Sequence, residues 1–165
     1  MQFRDAKLSD LSSIMEIYNS TISSRMVTAD TEPVPVEERI EWFHKHSPEK
    51  RPLWVVEDNE SKVIAWIAFH SFYGRKAYES TAEISIYIHE DHRGKGLGKK
   101  VLAHAIEKSK PMGIKTLLGY IFAHNEPSLK LFRGLGFTDW GKLPDIAILD
   151  GVERSLIIVG KRIQR

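Results

Sequence analysis

The sequence predicts a mixed α/β (α+β) domain, a β-sheet carrying helices, and three observations point there. Thr81–Ile88 alternates cleanly, with Ala82, Ile84, Ile86 and Ile88 on one face and Thr81, Glu83, Ser85 and Tyr87 on the other. Leu11, Ile14, Met15 and Tyr18 recur at i, i+3, i+4 and i+7, one apolar face of a helix. A glycine-rich turn after the alternating strand opens a second helical pattern, which sets strand–helix–strand–helix in the middle of the chain.

A short strand near Gln2–Arg4 comes first, and Ser9 is placed to cap the helix carrying Leu11 to Tyr18. A polar loop, Ser23 to Pro35, leads to a second helix with Val36, Ile40 and Phe43, whose first turn suits Pro35. Leu53–Glu57 and Lys62–Tyr73 read as two strands joined at Asp58-Asn59-Glu60-Ser61, an antiparallel hairpin. After Thr81–Ile88 a helix runs from about Gly98 to Lys110, burying Leu97, Val101, Leu102, Ala105 and Ile106. Lys115–Phe122 is a strand apolar enough to be buried on both faces. Asn125 caps a short helix through Arg133, and Phe137–Trp140 with Arg154–Lys161 forms a closing hairpin.

With 165 residues and no repeat or long linker, the chain reads as one domain spanning residues 1–165. It is 42% hydrophobic and 28% charged, a folded rather than a disordered composition. The 24 basic and 22 acidic residues leave +2, too near balance to argue for nucleic acid or a membrane. There are no cysteines, which excludes disulfides, thiolate nucleophiles and cysteine-ligated metals. Charges within the first ten residues leave no signal-peptide core, so a cytoplasmic protein is expected. The histidines, among them His44, His46, His89 and His92, have no metal-ligand spacing, and no metal is expected. No Gly-x-Ser-x-Gly elbow supports a serine hydrolase. Trp42, Trp54, Trp66 and Trp140 read as core or dimer-contact residues.

Arg93-Gly94-Lys95-Gly96-Leu97-Gly98-Lys99-Lys100 carries the most information. Lying between strand and helix, it offers unpaired backbone N–H groups, a positive dipole end, glycines that admit a close anion, and four cations. A phosphate-bearing ligand is the natural partner, and a basic turn that merely starts a helix is the alternative on these residues alone. Three residues separate Gly94 from Gly98, not the four of a nucleotide-hydrolase loop, and the dinucleotide fingerprint lacks its third glycine.

Arg93-x-x-Gly96-x-Gly98 resembles the acyl-CoA pyrophosphate loop of the GNAT superfamily of N-acetyltransferases. Asn125-x-x-Ser128-x-x-Leu131-Phe132-x-x-x-Gly136-Phe137 is similar to that family's downstream signature. The segment Arg75 to Glu83, with Trp140-Gly141-x-Leu143-Pro144 and Asp150-Gly151, resembles the phosphinothricin acetyltransferase branch. The resemblance implies a mostly antiparallel sheet of about seven strands flanked by about four helices, acetyl-CoA as co-substrate, and a homodimer. It also implies direct acetyl transfer to the primary amine of a small amino-acid-like acceptor, such as phosphinothricin or methionine sulfoximine.

Under that resemblance Glu83 is the general base, whereas without it an ordinary ion-paired strand residue is the favoured reading. The backbone of Ile86, Tyr87 and Ile88 would hold the pantetheine arm. The pyrophosphate would lie on Gly94, Lys95, Gly96, Leu97, Gly98 and Lys99 beside Arg93. Asn125 and Ser128 would contact the cofactor, though capping also explains Asn125. Arg75 and Tyr78 are candidates for the acceptor's anionic group, with Thr28 and Asp30 bordering the acceptor site. Three positions depart from the branch. Phe132 replaces the Tyr or His proposed to protonate the leaving thiolate, Tyr73 replaces a basic residue, and Ala29 an aromatic. A peptide or protein N-acetyltransferase and a non-catalytic acyl-CoA sensor are the alternative readings.

Overall fold

The structure, a computed structural model, describes residues 1–165. Its strands are β1 (Gln2–Asp5), β2 (Leu53–Glu57), β3 (Val63–Ser71), β4 (Thr81–Ile88), β5 (Thr116–Phe122), β6 (Thr138–Leu149) and β7 (Val152–Arg162). The helices are α1 (Leu11–Ser20), α2 (Ile40–His44), α3 (Leu97–Ser109) and α4 (Glu126–Gly134). All strands join one sheet in the order β1-β2-β3-β4-β5-β7-β6. Every pairing is antiparallel except β4 with β5. This is the mixed α/β, mostly antiparallel architecture expected. No helix is long and apolar enough to cross a membrane.

The alternation in β4 decides which layer each side chain joins. Ala82 and Ile84 enter a core with Val101, Leu102 and Ala105 of α3 and Leu129 and Phe132 of α4. The opposite face of the sheet, through Val55, Trp66 and Ala68, packs on Leu11, Ile14, Met15 and Tyr18 of α1, with Tyr87 against it. Glu83 and Ser85 therefore share the α1/α2 side, while the glycine turn and α3 occupy the other.

Four local expectations need correction. Ser9 does not cap α1. A 3₁₀ turn, Leu8–Asp10, precedes the helix, and the Asp10 carboxylate instead accepts from the Lys7 N–H at 2.7 Å and from Arg4 at 2.7 and 2.9 Å. Arg4 also pairs with Glu57, which ties β1, β2 and the turn together. Residues Val36–Arg39 likewise form a 3₁₀ turn, so α2 is only Ile40–His44. Lys115–Phe122 is not wholly covered, since Tyr120 is exposed.

The closing hairpin is far longer than the sequence suggested, because exposed Trp140, Ile146 and Ile148 give β6 no burial rhythm. Pro144 sits where the β6–β7 register shifts, a place that tolerates its missing N–H. Asp150 and Gly151, at φ 52° and 78°, make the two-residue turn, the left-handed pair that such hairpins favour.

Candidate active site

β4 and β5 pair only through Thr81–Thr116, Ala82–Leu117 and Glu83–Leu118. Beyond Glu83 they part, because β5 stays bound to β7 as far as Phe122–Leu156 while β4 stays bound to β3 as far as Ile88. From Ile84 onward one backbone edge of β4 is left without a strand partner. The site is built at that divergence.

A cleft of about 400 Å³ opens there. Ile86, Tyr87, Ile88, Arg93, Gly94, Gly96, Leu97, Gly98, Asn125 and Ser128 line it, bringing two distant sequence motifs together. Gly94 and Gly96 adopt φ of 73° and 79°, left-handed values that glycine takes without strain, and Gly96 turns the chain into α3. Gly98 is fixed by space instead. A Cβ there would lie 3.1 Å from Leu131 and 3.3 Å from Ile88. Gly98→Val is therefore expected to weaken acetyl-CoA binding about tenfold or more by overfilling the cleft wall, read by calorimetry. Unchanged affinity would show that the wall yields.

Lys95 and Lys99 stand outside the lining, and the Lys95 ammonium donates to the Asp91 carbonyl at 2.9 Å. The Arg93 guanidinium donates to the Ile88 carbonyl at 2.9 Å and to Ser20 Oγ at 3.2 Å, so it joins the end of β4 to the end of α1. Asn125 is buried, and its side-chain oxygen accepts from the Ser128 N–H at 3.3 Å. It caps α4 and lines the cleft at once. The sequence did not mark the Thr21, Ser24, Met26 and Val27 part of this wall, because a polar loop has no periodicity to read.

Glu83 lies at the last β4–β5 pair, opposite His70 of β3. Burial pushes its carboxyl up to about 7, with no cation beside it to pull it back. That disposes of the ion-pair reading. Burial, then the His46 and Arg39 charges, hold His70 down at about 4. Tyr120 of β5 is raised by burial and by the nearby Glu83 and Tyr73.

The other predicted residues fall in two separate places. Arg75 and Tyr78 line a cationic depression of about 370 Å³ with Lys50, Arg51 and Lys76, away from the cleft. Thr28 and Asp30 both bond the Tyr18 hydroxyl, and Arg39 donates to Asp30 at 3.2 Å. Tyr18, Arg39, Trp42, Trp66, His70 and Ser85 surround a further hollow on the Glu83 side of the sheet. None of these six was singled out from the sequence as a site residue. Strand register alone places His70 beside Glu83, and register cannot be read from composition.

The family model described as Acetyltransferase (GNAT) family matches residues 12–137. The chain belongs to the GNAT acetyltransferase family. A Bacillus subtilis (strain 168) protein named "Putative phosphinothricin acetyltransferase YwnH" is 53% identical over 163 residues, covering 99% of both chains. An L-methionine sulfoximine/L-methionine sulfone acetyltransferase of Pseudomonas aeruginosa is 30% identical, over 87% of this chain and 83% of its own. The crystal structure of a GNAT superfamily phosphinothricin acetyltransferase from Sinorhizobium meliloti in complex with AcCoA superposes with a TM-score of 0.91. It is 27% identical and covered over 99% of this chain and 88% of that one. This GNAT protein is accordingly an acetyltransferase, and the cleft between β4 and β5 is where its residues fit acetyl-CoA: a splayed strand edge, left-handed glycines and a helix N-terminus.

Proposed function

We propose that this GNAT protein N-acetylates the primary amine of a small amino-acid-like acceptor of the methionine sulfoximine or phosphinothricin type, with Glu83 as general base. The observation that carries this is the place of Glu83, largely buried at the point where the cofactor cleft opens and raised to about 7. A carboxyl in that range is about half ionised at neutral pH and can take the proton that an acceptor ammonium must lose. Acetyl-CoA supplies the activated acetyl group and a thiolate leaving group.

The Ile86–Ile88 backbone on the free edge of β4 holds the pantetheine arm, and the amides of Gly94 to Lys99 hold the pyrophosphate. Arg75, which has no carboxylate partner, and Tyr78 are the groups available to the acceptor's α-carboxylate. Phe132 is buried against Phe137 and has no proton to give. A thiol with an ordinary pKa of about 8.5 leaves as the thiolate without it. Exposed Trp140, Ile146 and Ile148 on β6 support a homodimer through the hairpin, and sedimentation showing only monomer at micromolar concentration would remove that part. A panel of amines with acetyl-CoA and a thiol-detecting dye tests the whole reading. Turnover of such amino acids is expected, and turnover of peptides alone would move the assignment to a peptide N-acetyltransferase.

A further inference from the structure

Two segments far apart in the chain line the cleft that fits acetyl-CoA. The loop leaving α1 contributes Thr21, Ser24, Met26 and Val27, and the start of α4 contributes Asn125 and Ser128. Met26 and Val27 belong to no helix or strand, so no ladder of backbone bonds fixes where they stand. Something else must hold that side of the cleft in place.

Arg25 sits between these lining residues and carries the ties. It ends the 3₁₀ turn Ile22–Ser24 at φ 56°, a left-handed value that residues with a side chain seldom take. Its carbonyl accepts from His124 Nε2 at 2.7 Å, across 99 positions of sequence. Since a carbonyl can only accept, this bond requires the proton on Nε2. The Arg25 guanidinium donates through Nε to the Asp150 carboxylate at 2.7 Å and through Nη1 to the Ile22 carbonyl at 2.8 Å. His124 directly precedes Asn125, so the first bond joins the two sides of the cleft. Asp150 begins the β6–β7 turn, so the second anchors the loop to the closing hairpin. Arg25 and His124 both stand outside the lining and act through Met26, Val27 and Asn125.

We propose that Arg25, His124 and Asp150 are positioning residues for acetyl-CoA, a strap that sets the width of the cleft by holding Met26 and Val27 against the start of α4. It concerns the co-substrate alone and is independent of which amine accepts the acetyl group. The ties differ in weight. The Asp150 side chain is 60% exposed, and an exposed ion pair contributes little. The His124 bond is partly buried, and losing it leaves the Arg25 carbonyl without its partner, so it carries more. Asp150 also gains a role beyond its turn. Asn or Gly would form that left-handed turn equally well, but neither offers the guanidinium an opposite charge.

The test is calorimetry of acetyl-CoA binding to the full chain, with KM and kcat measured on an amine that is turned over. His124→Phe keeps a ring beside Phe122, 5.5 Å away, and loses the donor. It should weaken acetyl-CoA binding about fivefold, the worth of one ordinary hydrogen bond. KM for acetyl-CoA should rise alike while kcat at saturation stays within about twofold, the mark of lost binding rather than lost chemistry. His124→Gln loses the ring but keeps an N–H of similar reach, and it should regain most of the affinity, which a packing role would not give. Arg25→Gly takes the left-handed φ without strain and drops both side-chain ties, for an expected loss of about threefold. Unchanged affinity in His124→Phe, or a loss that His124→Gln shares in full, overturns the strap. Should His124→Phe not fold, Arg25→Gly decides, and wild-type affinity there overturns it. If no amine is acetylated, the proposed function fails while the binding constants still decide the strap. If the wild type does not bind acetyl-CoA, the strap falls with the cleft.

Discussion

Glu83→Gln is expected to cut turnover at pH 7 by about 10²- to 10⁴-fold, the usual worth of a positioned general base, with little change in acetyl-CoA binding. Gln keeps the shape and loses the proton-accepting oxygen. Because the anion is the working form, wild-type kcat/KM should rise through pH 7 and level above it, where the carboxyl raised to about 7 is fully ionised. The variant should lack that rise. Turnover at pH 7 equal to wild type would mean that Glu83 is not the base.

The same residue links function to stability, with a definite sign. The Glu83 carboxyl binds its proton more tightly folded, at about 7, than unfolded, at 4.5. Its protonated form is thus accommodated fully below pH 4.5, and stability falls as pH rises from there through 7. At pH 8 the buried anion costs up to about 3 kcal/mol, less whatever water reaches it. Glu83→Gln should therefore be more stable than wild type at pH 8 and nearly equal at pH 4, in denaturant melts at the two pH values.

Phe137→Ala is expected to remove about 3–5 kcal/mol of stability, a fall in Tm of roughly 10 °C for a chain this size. Phe137 is 2% exposed, and its ring lies 5.0 Å from Phe132 at 72°. Its N–H donates to the Phe132 carbonyl at 3.1 Å, closing the end of α4. Phe132 in turn lines the cofactor cleft and rests against Gly119, where a Cβ would come within 3.1 Å of the ring. A cavity behind Phe132 should loosen that wall, so KM for acetyl-CoA should rise along with the loss of Tm. Thermal melts with and without acetyl-CoA measure both. A Tm within about 2 °C of wild type, equivalent to about 0.5–1 kcal/mol, would show that the ring contributes little.

Much of the proposed cofactor side was legible because its chemistry is local. Gly94, Gly96 and Gly98 lie within five consecutive residues, and a strand before and a helix after place them at a helix N-terminus. Asn125 and Ser128 announce a helix start by spacing alone, and that start lies across the cleft from the first motif. The surroundings of Glu83 were far less legible. His70 and Glu83 are 13 positions apart and become neighbours only through the β3–β4 register. Trp66 and Trp42 look like core from the sequence, and Trp66 is core. That its indole N–H has no partner depends on everything packed around it. The loop from Thr21 to Asp30 has no period, and its place in the wall of the β4–β5 cleft follows from where α1 ends.

By itself, the sequence determined the element order, the faces of β4 and α1, the glycine-rich turn at a helix start and the absence of any cysteine chemistry. Each of these depends on residue type and short spacing, where steric and hydrogen-bonding rules act within a few positions. Only the tertiary structure decided where β4 leaves β5, that Glu83 sits there without a counterion, and that Arg75 and Trp66 face different hollows. Strand register, burial and charge balance are sums over residues far apart in the chain. Local spacing cannot encode their outcome, and here that outcome sets the proton affinity of Glu83.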